Sequence, residues 1–168
     1  MDESDPVSVK SAGLLPDDDG FAAFYRACRT ELARALILAT GDKDLGSEAA
    51  DEALARALER WAEVKDFENP QGWVFRVGLN WARSRLRRRS VPATPLVEGR
   101  HFDELPEPEL LEAVGQLPFD HRSVVVARFF LDWSIEQTAH ALDLPEGTVK
   151  SRQVRALKRL RRKLGGRG

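Results

Sequence analysis

Cysteine is nearly missing from this chain. Cys28 stands alone among 168 residues, which excludes an internal disulfide and leaves no thiol pair for a metal site. Phe24 and Leu32 share its helical spacing, so Cys28 reads as a small buried apolar residue and not a nucleophile. Histidine is also scarce, and the three, His101, His121 and His140, show no ligand spacing. There is no Gly-rich phosphate loop, no paired carboxylates in a metal-binding pattern and no nucleophile beside a base, which weighs against a small nucleic-acid-modifying enzyme. No apolar run approaches the roughly 20 residues of a membrane span, and MDESDPVSVKSAGLLPDDDG lacks the basic start and apolar core of a signal peptide. The expectation is a cytoplasmic chain, neither exported nor inserted in a membrane, without cofactor or metal. No segment alternates strictly enough to be a strand, so the expected fold class is all-α, in two small domains.

What is present is charge, and it is sorted. The formal net charge of −1 conceals blocks along the chain. Residues 1–70 hold sixteen acidic side chains against eight basic, and residues 71–90 hold none against six. Residues 91–120 then hold seven against one, and residues 121–168 hold four against eleven. Local field, not the average, decides where a polyanion docks, so the two basic blocks are the candidate nucleic-acid surfaces.

Residues 1–18 are polar and broken by Pro6, Gly13 and Pro16, which predicts a disordered lead. Phe21 to Thr40 carries a helical period that stops at Gly41. A second helix is expected from Ser47, as its N-cap, to Trp61 or Val64, with Glu48, Asp51 and Glu52 placing negative charge in its first turns. Asn69-Pro70 marks a turn, and Gln71 to Arg89 reads as a third helix with Trp73, Val74, Val77, Leu79 and Trp81 on its apolar side. Residues 90–106, with Pro92, Pro95, Gly99 and Pro106, read as a flexible linker. A second helical domain is expected over 107–168, its first helices running Pro108 to Leu117 and Pro118 to Phe130.

The most informative stretch is IEQTAHALDLPEGTVKSRQVRALKRLRRKL. Ile135, Ala139 and Leu142 form one apolar stripe at helical spacing, and Val149, Ala156, Leu157 and Leu160 form a second. Asp143 and Pro145 end the first helix, and Pro145 is suited to start the next. Lys150, Ser151, Arg152, Arg155, Lys158 and Arg159 lie off the apolar stripe, free to meet phosphates and base edges. This is the pattern of a helix-turn-helix whose second helix enters a DNA groove.

The third helix carries a second kind of chemistry. Trp73, Phe75 and Trp81, interleaved with Arg76, Arg83, Arg85 and Arg87 to Arg89, combine flat rings with cations, as proteins that hold unpaired nucleic acid do. Spacing favours a core role for Trp81. Phe67 and Asn69, in the loop before the helix, are better placed for a nucleic-acid role, since loops carry contacts that helices position.

Together these residues resemble the sigma-70 superfamily of RNA polymerase sigma factors, in its extracytoplasmic-function (ECF) group with only the second and fourth sigma regions. The resemblance spans about residues 20 to 165. It rests on ALARALERW with WVFRVGLNWARSRLRRR, and on LPFDHRSVVVARFFLDWSIEQTAHALDLPEGTVKSR. LILATGDKDLGSEAADEALARALERW further resembles an actinobacterial subgroup.

The resemblance implies three contact sets and no catalytic site, the second region falling on 19–89 and the fourth on 107–168. Glu48, Asp51, Glu52, Leu54 and Arg56 match the helix that grips core RNA polymerase. Asp66, Phe67, Asn69, Trp73, Arg76, Asn80, Arg83 and Arg87 match the loop and helix that hold the melted −10 element. Thr148, Lys150, Ser151, Arg152 and Arg155 match the helix that reads the −35 element. Arg122 and Arg128 are further phosphate or polymerase contacts on this reading, and Glu98, Asp103 and Glu104 give the linker RNA-like charge. The implied partners are core RNA polymerase, promoter DNA and an anti-sigma factor. Two departures stand out: Glu48-Ala49-Ala50-Asp51 where the family has Asp-Leu-Val-Gln, and Gln153 where it has an apolar or small residue. The competing reading is a helix-turn-helix regulator that never touches polymerase; it predicts a dimer on half-sites about one helical turn apart.

Overall fold

A computed structural model describes residues 20–89 and 107–165. The expected disordered lead and linker, with Glu98, Asp103 and Glu104, lie outside the described residues. Those described are all helical, apart from the turns that join the helices. Among them, no helix is long and apolar enough to cross a membrane.

Helix α1, Phe21–Thr40, ends at Gly41, whose φ of 71° is the left-handed cap only glycine adopts cheaply. The next helix starts earlier than Ser47. It is α2, Lys43–Glu59, and its N-cap is Asp42, which accepts the Leu45 amide at 3.0 Å. Asp42 is fully buried and ion-paired to Arg89. Its cap was hidden because Lys43 and Asp44 carry no apolar period into the first turn. A short turn of helix, α3, Trp61–Val64, leads to α4, Pro70–Arg87.

The second half contains α5, Pro108–Gly115, and α6, Phe119–Val125, which runs into a π-helical turn, Val126–Phe130. Then come α7, Ile135–Leu142, and α8, Glu146–Gly165. The π turn brings the Trp133 amide to the Ala127 carbonyl at 3.1 Å, with Asp132 at a φ of 57°. No periodicity announces such a turn.

The first-half core joins α1, α2 and α4 through Leu36, Ala49, Leu54, Val74 and Phe75. Gly78 lets α4 approach closely: a Cβ there would sit 2.6 Å from a Leu36 methyl. Leu111, Val126 and Ala127 of the second half belong to the same buried cluster, so the halves share apolar packing. Phe75 is the centre of that seam, 1% exposed, with Trp133 edge-on at 5.6 Å and 88°. Its expected place among the base-stacking aromatics is thereby corrected, since a ring without solvent access cannot stack on a base.

Candidate nucleic-acid interface

Ser134 and Gln137 close a capping box at the start of α7, with reciprocal bonds of 3.0 and 2.8 Å. Asp143 takes a left-handed φ of 55° at its end, and the Pro145 carbonyl then accepts the amides of Thr148 and Val149 in the first turn of α8. Val149, Ala156 and Leu160 are buried, which fixes the roll of α8 on its own domain. Lys150, Ser151 and Arg155 are therefore exposed, with Lys158 and Arg159 continuing the basic face, while Thr148 and Arg152 are half-buried. The Ser151 hydroxyl donates to the Thr148 carbonyl at 3.1 Å. The helix-turn-helix read from the sequence is the one observed.

The two flanking arginines behave otherwise than expected. Arg122 is a packing residue, 9% exposed, stacked near the Phe119 ring and pressed on Gly41 of the first half. Burial pushes its guanidinium below the ordinary range, and no phosphate can reach it in this arrangement. Arg128 donates to Gln153 Oε1 at 2.8 Å and to the Trp133 carbonyl. Gln153 is thus the tether between α8 and the π turn, which accounts for a polar residue at that position.

At the other basic block, Asn69 caps α4 by accepting the Gly72 amide at 3.0 Å, with Pro70 in the first turn. Phe67 lies 6.1 Å from Trp73, tilted by 53°. Arg60 reaches across the Trp73 ring at 5.5 Å, held by both carboxylate oxygens of Glu63 at 2.9 and 2.8 Å. Phe67, Asn69, Trp73 and Arg76 form one wall of a cleft of about 860 Å³, and Arg60 belongs to it. Sequence reasoning missed Arg60, which only the α2–α3 corner brings to the site. His140, Asp143 and Glu146 form the facing wall. Asp66 is exposed beside the cleft, and Arg87 is exposed at the end of α4. Asn80 and Arg83 line a separate cavity, where Arg83 pairs with Asp120. Trp81 is half-buried against the core, with Arg85 at 4.7 Å over its ring.

On α2, Glu48, Asp51 and Arg56 are exposed, and Arg56 pairs with Glu52 at 3.1 Å. Leu54 faces the core at 2% exposure, so the outer face of this helix is charged. Ala49 and Ala50 are buried too, which places the departure from Leu-Val inside the packing and not on the surface. Among the described residues, no group of three or more His, Cys, Asp or Glu side chains could hold a metal ion.

The family profile for sigma-70 region 4 matches residues 113–162. The chain is 32% identical over 152 residues to an RNA polymerase sigma-E factor of Streptomyces coelicolor, spanning 86% of this chain and 85% of that protein. It is 31% identical over 163 residues to the ECF RNA polymerase sigma factor SigL of Mycobacterium tuberculosis, spanning 86% and 92%. In fold it is similar to the sigma factor RpoE of Bartonella quintana, solved in complex with the anti-sigma factor NepR. The TM-score is 0.72 at 22% identity, over 86% of this chain and 96% of that one.

Proposed function

We propose, from the premise that this chain belongs to the ECF group of sigma-70 RNA polymerase sigma factors, a division of labour among its surfaces. As a member it is a non-catalytic subunit that binds core RNA polymerase and directs promoter-specific transcription initiation. The cytoplasm, where polymerase meets the chromosome, is its place of action.

The observation that carries the residue assignment is the basic outer face of α8 on a buried apolar inner face. Lys150, Arg152 and Arg155, with Thr148 and Ser151, read the −35 duplex in the major groove. A good bidentate contact from Arg152 discriminates against a wrong base by about 1–3 kcal/mol. The wall of Phe67, Asn69, Trp73 and Arg76, with Asp66 beside it and Arg60 over the ring, takes an unpaired base of the −10 strand. Ring stacking there opposes the few kcal/mol lost on unstacking, roughly the scale of one base on one aromatic. Asn80, Arg83 and Arg87 follow the strand along α4. Glu48, Asp51, Glu52 and Arg56 present the polymerase-binding face, with Leu54 supporting it from below. Three separately weak contacts on one chain raise one another's effective concentration, so tight binding requires all three.

An anti-sigma factor is the proposed inhibitor, as NepR is a partner of the Bartonella protein. The test is the pair Arg152→Ala and Arg155→Ala. Promoter-directed run-off transcription falls at least tenfold while co-elution with core polymerase persists. Loss of core binding in that variant, or undiminished transcription, counts against the assignment.

A further inference from the structure

Between α4 and the helix-turn-helix lies a cavity of about 130 Å³ whose polar lining is Arg76, Asn80, Arg83, Asp120, Ser123 and Arg152. Three arginines from both candidate DNA-reading surfaces line it, against one carboxylate. That carboxylate, Asp120, is engaged by Arg83. Among the described residues, neither Arg76 nor Arg152 has an ion-pair partner. The Ser123 hydroxyl donates to the Phe119 carbonyl at 2.9 Å, so it adds an acceptor to the cavity and no free proton. The side-chain amide of Asn80 adds two donors.

With Arg83 neutralised by Asp120, the two remaining cations around one small cavity favour an accompanying anion. The neighbouring His121 senses one of these arginines, Arg152, among other causes. Its Nδ1 is buried without a partner, and burial first, then Arg159, Arg152 and Arg155, hold its proton affinity below the ordinary value, against Asp120. At roughly 30 Å³ for each water, the cavity holds about four waters, which is room for a tetrahedral oxyanion. Guanidinium groups match such an oxyanion with paired, charge-assisted hydrogen bonds, and clusters of arginine are a recurrent way to recognise phosphate.

We propose that this cavity is a phosphate site, taking free phosphate or the terminal phosphate of a nucleotide, bridged by Arg76 and Arg83 from α4 and by Arg152 from α8. Occupancy ties the two halves together and holds Arg152 away from duplex DNA. The proposal rests on the functional reading only in calling those two surfaces DNA-facing; the site itself rests on the lining.

The full chain is titrated with sodium phosphate, and separately with ATP, by calorimetry and by thermal melting, against sodium chloride at matched ionic strength. Phosphate should raise Tm beyond what chloride does. Arg76→Gln and Arg152→Gln should each weaken phosphate binding about tenfold or more, the scale of a lost charged hydrogen bond. Arg26→Gln, exposed on α1, should leave it unchanged. Circular dichroism confirms that each variant is folded. A response to ATP alone, lost in both variants, supports the site with a nucleotide as its ligand. Equal responses to phosphate, ATP and chloride overturn the proposal, and so does a response that survives Arg152→Gln, because the bridge then does not exist. Promoter-directed transcription is scored on the same preparation: if it persists without a phosphate response, only the site is lost, and if it is absent with one, only the functional reading is.

Discussion

At the scale of single residues, burial separates side chains that the sequence presents alike. Phe75 and Trp73 stand two positions apart among arginines, yet one is core and the other lines a cleft. Phe75→Ala should cost about 3–5 kcal/mol in urea unfolding, by loss of transfer energy plus a cavity. Trp73→Ala should cost much less and act on promoter melting instead. Cys28, whose thiol is pushed up to about 11 chiefly by burial and next by Glu31, should resist a disulfide reagent at mildly alkaline pH until the chain is denatured. His121 makes a prediction of opposite character. Its proton is disfavoured in the folded state relative to the ordinary 6.5, so the unfolded chain binds more protons in that region. Its contribution is whole above 6.5 and lost as pH falls below it. Melting curves from neutral to mildly acidic pH should therefore fall less steeply for His121→Gln than for the parent.

At the scale of elements, boundaries written into local chemistry were legible and those fixed by distant contacts were not. Gly41, Asn69-Pro70 and Pro145 end or begin helices through their own backbone preferences, and the structure has them doing so. Asp42 caps α2 from a buried position beside Arg89, forty-seven residues away, which no window of sequence contains. The π turn likewise depends on Arg128 reaching Trp133 and Gln153. The reading face of α8 was legible because its apolar stripe is buried by its own domain. Arg60 was not, because only the chain's corner between α2 and α3 brings it to Trp73. Gly72 tests the contact of α4 with α7. A Cβ there would meet the Ala141 Cβ at 2.9 Å and Asn69 Nδ2 at 2.7 Å. Gly72→Ala should destabilise the chain by about 1–3 kcal/mol, the usual cost of overpacking, and leave Trp133 more exposed by fluorescence quenching.

At the scale of the whole molecule, the packing of the halves sets a geometric demand. Elements centred about 25 base pairs apart are separated by about 85 Å of duplex at about 3.4 Å per pair. A compact chain of this length has a radius of gyration of only about 15 Å. The seam of Phe75 with Trp133, Gly41 with Arg122 and Arg83 with Asp120 must therefore part before one molecule occupies both elements. Weakening it should aid promoter engagement while lowering stability, so Asp120→Ala should reduce Tm yet strengthen binding to a −35 duplex. The most direct measurement of what the chain does is reconstitution with bacterial core RNA polymerase, followed by run-off transcription from a library of random promoters. Co-elution with core and transcripts that start from a shared pair of −35 and −10 sequences is the expected result. Binding to duplex DNA without any binding to core would contradict it, and would make the chain a conventional helix-turn-helix regulator.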